Sequence, residues 1–245
     1  MNWPSSSIDS LPSSVFPLME VPSCWGGRVL PLLAVANTPT LPEQIRNRLG
    51  AHIRSCVIYE SAPICFGLPM PSQNYSPLVV ESIPPNKRLQ AFAQWATGYF
   101  DHDASGNKFT LQTPHDPDTL EWVLHSSKIP TYYNIPTEEL TQMTVYGDEA
   151  STDLPMLFFF QNEHKKALTA VLKDPDVAST FPNLKRAYIT GDKAPAFGIA
   201  GMWAIQDEPG LMDAPIHFEL VKGGNHFAMW DDPNMILNAV LRAAT

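Results

Sequence analysis

Basic residues, cysteines and long apolar runs are all scarce in this sequence. Lys and Arg together number 16 against 25 Asp and Glu, which gives a formal net charge of −9. Proteins that bind the phosphate backbone of nucleic acids carry a basic surplus, so this class is excluded. No run of eighteen apolar residues occurs, and we therefore predict no membrane-spanning helix and no membrane partner. Three cysteines cannot all pair, which argues against a disulfide scaffold.

The first fourteen residues are rich in serine and proline. They contain neither the basic region nor the apolar region of a secretory signal, and we predict a cytoplasmic protein with a disordered tail at 1–14. The remaining chain, 15–245, is predicted to form one domain, because its length and its 44% hydrophobic content suffice for one large core.

The order of apolar patterns along the chain predicts an α/β fold. Short apolar runs with β-branched or aromatic residues predict strands at 15–21, 56–59, 186–190 and 216–221. Helical spacing of apolar residues predicts helices at 28–37, 43–53, 87–100, 119–126, 137–144, 154–172 and 234–244. Strands that alternate with helices indicate a mainly parallel sheet with helices on both faces. The proline-dense segment 61–85 is predicted to leave the sheet, because proline is excluded from helix interiors and central strands.

Three reactive side chains follow predicted strands. Cys24 comes after the first strand, Glu60 after the second and His226 after the last. The chain order nucleophile, acid, histidine is that of α/β-hydrolases. Because parallel strands end at one edge of a sheet, we expect these three residues to lie close together.

Local motifs strengthen this resemblance. The segment 23–27 (Ser-Cys-Trp-Gly-Gly) is similar to the nucleophile elbow of α/β-hydrolases, and 223–227 (Gly-Gly-Asn-His-Phe) is similar to their histidine loop. The segment 186–192 resembles the strand and Gly-Asp turn that precede that loop. The resemblance covers 15–245, and it implies a variable, helical and proline-rich cap inserted at approximately 64–180.

The resemblance implies that Cys24 is the nucleophile and that the backbone N–H of Trp25 stabilises the oxyanion. Gly26 supports this register, because a glycine two positions after the nucleophile keeps the turn free of a clash. A thiol at a helix N-terminus and paired with a histidine is expected to be a good nucleophile. A second interpretation remains open, in which Cys24 is a small buried hydrophobic residue.

His226 would act as general base and acid, and two residues remain open as its carboxylate partner. Glu60 is preferred, because some members of the family place the acid at the end of the preceding strand. Asp192 is the alternative, although the position where the usual Gly-Asp-x-Asp-Pro pattern has its catalytic aspartate holds Ala194 here. Phe197 and Trp203 are predicted to line an apolar substrate pocket.

The sequence also departs from the family pattern. Pro22 replaces the glycine before the nucleophile, and the 23 residues before Cys24 are too few for the family's preceding strands and oxyanion loop. The chain resembles the C-terminal two-thirds of an α/β-hydrolase, which predicts an exposed sheet edge and a homodimer through it. Two functions stay open: hydrolysis of a small apolar ester, lactone or thioester, or a catalytically inactive relative that acts as a binding protein.

No cofactor or metal is predicted. The histidines lack metal-ligand spacing, Cys56 and Cys65 form no C-x-x-C pair, and no Lys-Ser/Thr follows the glycines at 223–224. The expected partner is a small apolar molecule, because aromatic and proline residues in the predicted cap favour an enclosed apolar pocket.

Overall fold

A computed structural model describes most of the chain: residues 16–19, 29–36, 41–102, 109–125, 128–143 and 157–244. The predicted tail at 1–14 lies outside these residues. The strands are β1 (Phe16–Met19), β2 (Ile53–Tyr59), β3 (Lys185–Gly191) and β4 (His217–Val221). They form one parallel sheet in the order β1-β2-β3-β4, which confirms the predicted α/β class.

Helices cover both faces of this sheet. In chain order they are α1 (Val29–Ala36), α2 (Glu43–His52), α3 (Pro85–Ala96), α4 (Thr137–Met143), α5 (Gln161–Lys173), α6 (Pro175–Thr180), α7 (Ala196–Asp207), α8 (Ala228–Asp231) and α9 (Pro233–Ala244). The larger core cluster joins α1, α5 and α7 to one face of the sheet, while α9 packs on the other. Within the described chain, no helix is both long and apolar enough to cross a membrane.

The inner strands are apolar on both faces because both faces are covered. In β2, residues 55–59 are buried without interruption, and in β3 the same holds for 187–191. A half-exposed strand would instead alternate apolar and polar residues. Burial on both sides fixes the register of these two strands, in which Tyr59 lies beside Ile189. The residues that follow β2 are thereby placed at a defined point of the sheet edge.

The long connection between β2 and β3 packs back onto the domain through aromatic rings. Trp95, near the end of α3, lies 5.7 Å from the ring of Phe197 in α7 and 5.9 Å from that of Phe100. Its indole nitrogen donates a hydrogen bond to the carbonyl of Trp122 at 2.9 Å. These contacts hold the insertion against the sheet edge at which β2 and β3 end.

The predicted helix at 119–126 is wrong. A short 3-10 turn at Pro117–Thr119 stands there, and the described residues after it are not helical. The side chain of Asp116 caps this turn, while the indole nitrogen of Trp122 donates to the Pro117 carbonyl at 2.9 Å. Capping and a local side-chain bond favour the tight turn over a regular helix.

Other helices also differ from prediction, among them the one predicted at 87–100, which ends at Ala96. The helix predicted at 154–172 is interrupted at Phe160, where the backbone is not helical and α5 begins one residue later; residues 151–156 lie outside the described chain. The sequence reading missed α6, which Pro175 opens at its first position. Asp174 caps α6 by accepting a hydrogen bond from the N–H of Asp176 at 2.8 Å, a sequence signal of a helix start.

Candidate active site

Glu60 stands directly after β2 in a strained backbone conformation. Its φ is +46°, a left-handed value that non-glycine residues adopt rarely and at an energetic cost. Its N–H donates to the Ile189 carbonyl at 3.0 Å, and the side chain is completely buried. One carboxylate oxygen, Oε1, accepts a hydrogen bond from the Gly191 N–H at 2.7 Å. The strained turn therefore holds a carboxyl group inside the protein at the edge of the sheet.

His226 follows β4 on a loop that packs tightly against the end of β3. Gly223 has a φ of +78°, and its N–H donates to the Asp192 carboxylate at 2.6 Å. A Cβ on Gly191 would lie 1.9 Å from the carbonyl oxygen of Gly224, so only glycine allows the two backbones to approach this closely. This approach brings His226 to the same edge as Glu60.

The imidazole of His226 and the carboxylate of Glu60 form a buried pair. Nδ1 of His226 lies 2.7 Å from Oε2 of Glu60, and the two side chains are 2% and 0% exposed. A carboxylate accepts hydrogen bonds, so Nδ1 is the protonated nitrogen and donates to it. The pair thus fixes the imidazole tautomer, and it would stabilise an imidazolium if the ring accepted a proton at Nε2.

Aromatic rings enclose the pair. The ring of Phe197 meets the His226 imidazole edge to face at 5.2 Å, and the ring of Tyr59 stacks on it at 6.3 Å. Burial, followed by the nearby charge of Glu60, raises the pKa of Tyr59 well above its ordinary value. The phenol of Tyr59 therefore stays neutral.

Neither the protein-family models nor the curated proteins give a match to this chain. The candidate site therefore stands on its geometry.

The two carboxylates that the sequence offers as partners of His226 have different contacts in the structure. Glu60 contacts the imidazole, whereas Asp192 Oδ1 accepts from the backbone of Gly223 three residues upstream of His226. Asp192 thereby shapes the loop that carries the histidine. The predicted nucleophile Cys24 and oxyanion donor Trp25 lie outside the described residues.

The two predicted pocket residues lie on different faces of α7. Phe197 contacts the His226 ring, as described above. Trp203 packs instead between His115 at 5.2 Å and Phe109 at 6.0 Å, and it lines a separate cavity of about 280 Å³. Six residues along a helix correspond to a rotation of roughly 240°, which accounts for the separation. Among the described residues, the two side chains do not line one common cavity, and their role in binding a substrate stays a prediction.

The chemistry available at the site is proton transfer. Among the described residues, no group of three or more His, Cys, Asp and Glu side chains is arranged to hold a metal ion. A buried histidine whose Nδ1 is fixed by a carboxylate is instead the arrangement that a general base requires.

Sequence reasoning missed Asn225, the residue before His226. Its side chain is completely buried and makes three hydrogen bonds, two of them to residues of the insertion. The available signal was an amide residue in the turn that precedes the histidine. Its partners, Thr97 and Thr131, lie about a hundred residues away in the chain, and no local pattern indicates them.

Proposed function

We propose that the protein is an α/β-hydrolase-like enzyme that hydrolyses a small apolar ester, lactone or thioester through Cys24, His226 and Glu60. The observation that carries this proposal is the buried 2.7 Å contact between Nδ1 of His226 and Oε2 of Glu60. Burying a carboxylate is costly unless it is paired and hydrogen-bonded, and the strained backbone of Glu60 adds to that cost. Such an arrangement favours a functional role over a merely structural one.

The topology supports Cys24 as the nucleophile. β1 is parallel to β2, and its last residue, Met19, lies beside Val57, three residues before Glu60. Cys24 is five residues beyond Met19, and five residues span at most about 17 Å. Because β1 is parallel to β2, its C-terminal end faces the sheet edge where Glu60 and His226 lie, and an attacking group is needed at that edge.

The proposed reaction begins when Nε2 of His226 takes the proton of the Cys24 thiol. The sulfur attacks the carbonyl carbon of the substrate, and the backbone N–H of Trp25 donates to the developing oxyanion. Collapse of this intermediate breaks the bond to the leaving group, which receives the proton from His226 and leaves an acyl group on sulfur. His226 then takes a proton from water, and the resulting hydroxide attacks the acyl carbon. Collapse of this second intermediate breaks the carbon–sulfur bond and releases the carboxylic acid, while His226 returns its proton to the sulfur and restores the thiol.

The surroundings of His226 support an apolar substrate. Phe197 presents its ring to the imidazole, and behind it lie Trp95, Phe100 and other buried apolar residues. An apolar wall beside a single buried acid–base pair fits an uncharged acyl or ring compound.

The experiment is hydrolysis of a short-chain aryl ester by the purified protein and three variants. Cys24→Ala and His226→Ala should each lose the activity, by about 10³-fold or more. Cys56→Ala is the matched control: it also removes a thiol, but from the core of β2, and it should keep the activity while it remains folded. Thermal unfolding of all four proteins verifies that they are folded.

Two results would contradict the proposal for this substrate. One is full activity in the folded Cys24→Ala variant, and the other is no activity in the folded wild type. The second result would favour the remaining alternative, a non-catalytic binding protein with the same fold.

A further inference from the structure

Asn225 is buried, and both the nitrogen and the oxygen of its side-chain amide form hydrogen bonds. Its side-chain nitrogen donates to the carbonyl of Thr97 and to Oγ1 of Thr131, each at 2.8 Å. Its side-chain oxygen accepts from the N–H of Phe227 at 3.0 Å. Asn225 and Thr131 are 0% exposed. These bonds join the residue on one side of His226 to the insertion and to the residue on its other side.

Thr131 extends the connection past the histidine. Its hydroxyl accepts from Asn225 and donates to the carboxylate of Asp231, at the end of α8. The Tyr99 hydroxyl donates to the same carboxylate, and burial together with this bond raises the pKa of Tyr99 to about 12. Two residues of the segment that carries His226, Asn225 and Asp231, are therefore hydrogen-bonded to the Thr131 hydroxyl of the insertion. Asn225 and Thr131 are buried members of this network, whereas Asp231 lies at the surface.

The backbone of Asn225 reaches the other half of the pair. Its carbonyl accepts from the Tyr59 hydroxyl at 3.2 Å, and Tyr59 directly precedes Glu60. The immediate neighbours of the acid and of the histidine are thus bonded to each other. The two glycines before Asn225 are bonded to the end of β3, through Asp192 and Lys193, and Asn225 adds the connection of the same loop to the insertion.

We infer that Asn225 and Thr131 are positioning residues for His226, and that through them the insertion holds the imidazole in register with Glu60. The inference rests on the proposed function, because it assigns these residues a task in the same acid–base pair. It follows from the contacts: the two bonds from the Asn225 amide nitrogen are the direct connections of the histidine turn to Thr97 and Thr131. Without them, the turn that carries His226 would lose these side-chain bonds to the insertion, and we expect the ring to shift from the carboxylate.

The test reads the imidazole directly by ¹⁵N-histidine NMR of the full chain at neutral pH, with no substrate. Wild type should show His226 protonated at Nδ1, with a downfield proton from the bond to Glu60; a His226→Ala spectrum distinguishes this signal from that of His115, whose Nδ1 also contacts a carboxylate. Glu60→Gln should abolish that signal. Asn225→Ala should likewise lose the downfield proton and shift toward a mixture of tautomers.

Thr131 offers a matched pair if Asn225→Ala does not fold. Thr131→Val keeps the shape but removes the hydroxyl that Asn225 and Asp231 share, and it should lose the downfield signal. Thr131→Ser keeps the hydroxyl and should retain the signal. A wild-type signal in folded Thr131→Val or Asn225→Ala would overturn the positioning role.

The same data separate this inference from the proposed function. A wild type with the Glu60-bonded signal but no ester hydrolysis would count against the hydrolase proposal, while loss of the signal in Thr131→Val would still establish the positioning role. If the wild type shows no downfield Nδ1 proton from His226, both the positioning role and the hydrolase proposal are contradicted.

Discussion

Two histidine–carboxylate pairs in this protein have nearly the same length and very different surroundings. Nδ1 of His226 lies 2.7 Å from Glu60, and Nδ1 of His115 lies 2.8 Å from Asp207. The first two side chains are 2% and 0% exposed, whereas the second two are 25% and 60% exposed. The distance between the two atoms therefore does not distinguish a candidate active site from a surface ion pair.

The difference lies in what holds each carboxylate. The second carboxylate oxygen of Glu60 accepts a hydrogen bond from the Gly191 N–H. The backbone of Glu60, directly after β2, has a left-handed conformation. Asp207 is the last residue of α7 and stands largely in water. Water screens the exposed pair, while a dry and fixed environment makes the buried pair electrostatically strong. Preorganisation of this kind distinguishes a site adapted to proton transfer.

The largest difference between the two pairs is expected in ester hydrolysis, when the carboxylate of each pair is replaced by an amide. Glu60→Gln keeps the side-chain shape but presents an amide N–H, or a weaker acceptor, to Nδ1 of His226, so the favoured tautomer is lost. Ester hydrolysis should fall by about 10³- to 10⁴-fold. Asp207→Asn is the matched change in the exposed pair and should alter the rate less than about twofold.

Steady-state kinetics of the two variants decide this prediction. Equal losses in both would show that the buried pair has no special role. Full activity in both variants would show that hydrolysis does not need Glu60 and that other groups orient His226.

The next prediction compares the effect on stability of replacing a glycine near each pair, Gly191 near the buried pair and Gly210 near the exposed pair. A Cβ at Gly191 would lie 1.9 Å from the Gly224 carbonyl oxygen, so Gly191→Ala must push apart the two loops that form the buried pair. We expect the free energy of unfolding to fall by about 3 kcal/mol or more. Gly210, three residues after Asp207, has only a side-chain oxygen of Glu208 nearby, at 3.9 Å. Gly210→Ala should change stability by less than about 1 kcal/mol, and comparable losses in urea unfolding of both variants would refute the contrast.

A third histidine is buried without a carboxylate partner. His102 donates from Nε2 to the Ala194 carbonyl at 2.7 Å and accepts at Nδ1 from the Glu121 N–H at 3.1 Å. Both bonds suit the neutral ring. Burial is the main reason that its pKa is lowered from 6.5 to about 4. The charges of Glu121 and Asp101 favour a proton on His102 and that of Lys193 opposes it, but burial outweighs them.

The sign of the resulting pH dependence follows from proton binding. Between pH 6.5 and pH 4 the unfolded chain binds a proton at His102 that the folded protein refuses, so stability falls as the pH is lowered. The loss approaches about 3 kcal/mol near pH 4. His102→Gln should flatten this part of the curve, measured as urea unfolding between pH 7.5 and 4.5. An unchanged slope in the variant would show that His102 is protonated in the folded protein.

The fold and part of the site follow from local sequence patterns. The run at 56–59 is apolar and β-branched or aromatic, and the structure has a strand there that ends before Glu60. The parallel arrangement then brings the ends of β2 and β4 to one edge, which is why the sequence pointed to Glu60 and His226 together. Whether the pair is catalytic is a prediction that the hydrolysis experiment addresses.

The remaining features depend on contacts between distant parts of the chain. Asn225 bonds to Thr97 and Thr131, which are 128 and 94 residues away, and no periodicity connects such positions. The helix expected at 119–126 is replaced by the capped turn described above, and the Trp122 carbonyl also accepts a hydrogen bond from the distant Trp95 indole. Helical spacing alone contains no information on such partners. The separation of Phe197 from Trp203, by contrast, was readable from their six-residue spacing.

The smallest effect is expected from the exposed pair itself. A double-mutant cycle of His115→Ala and Asp207→Ala isolates the coupling between the two side chains from their other contacts. We expect a coupling of about 0.5 kcal/mol or less at neutral pH, because water screens Asp207 and holding two mobile side chains costs entropy. His115→Ala alone should cost more than this coupling, since its ring also stacks on Trp203 at 5.2 Å. A coupling above about 2 kcal/mol would mean that the cavity beside Trp203 shields this pair from solvent, and that the two pairs are more alike than their exposures indicate.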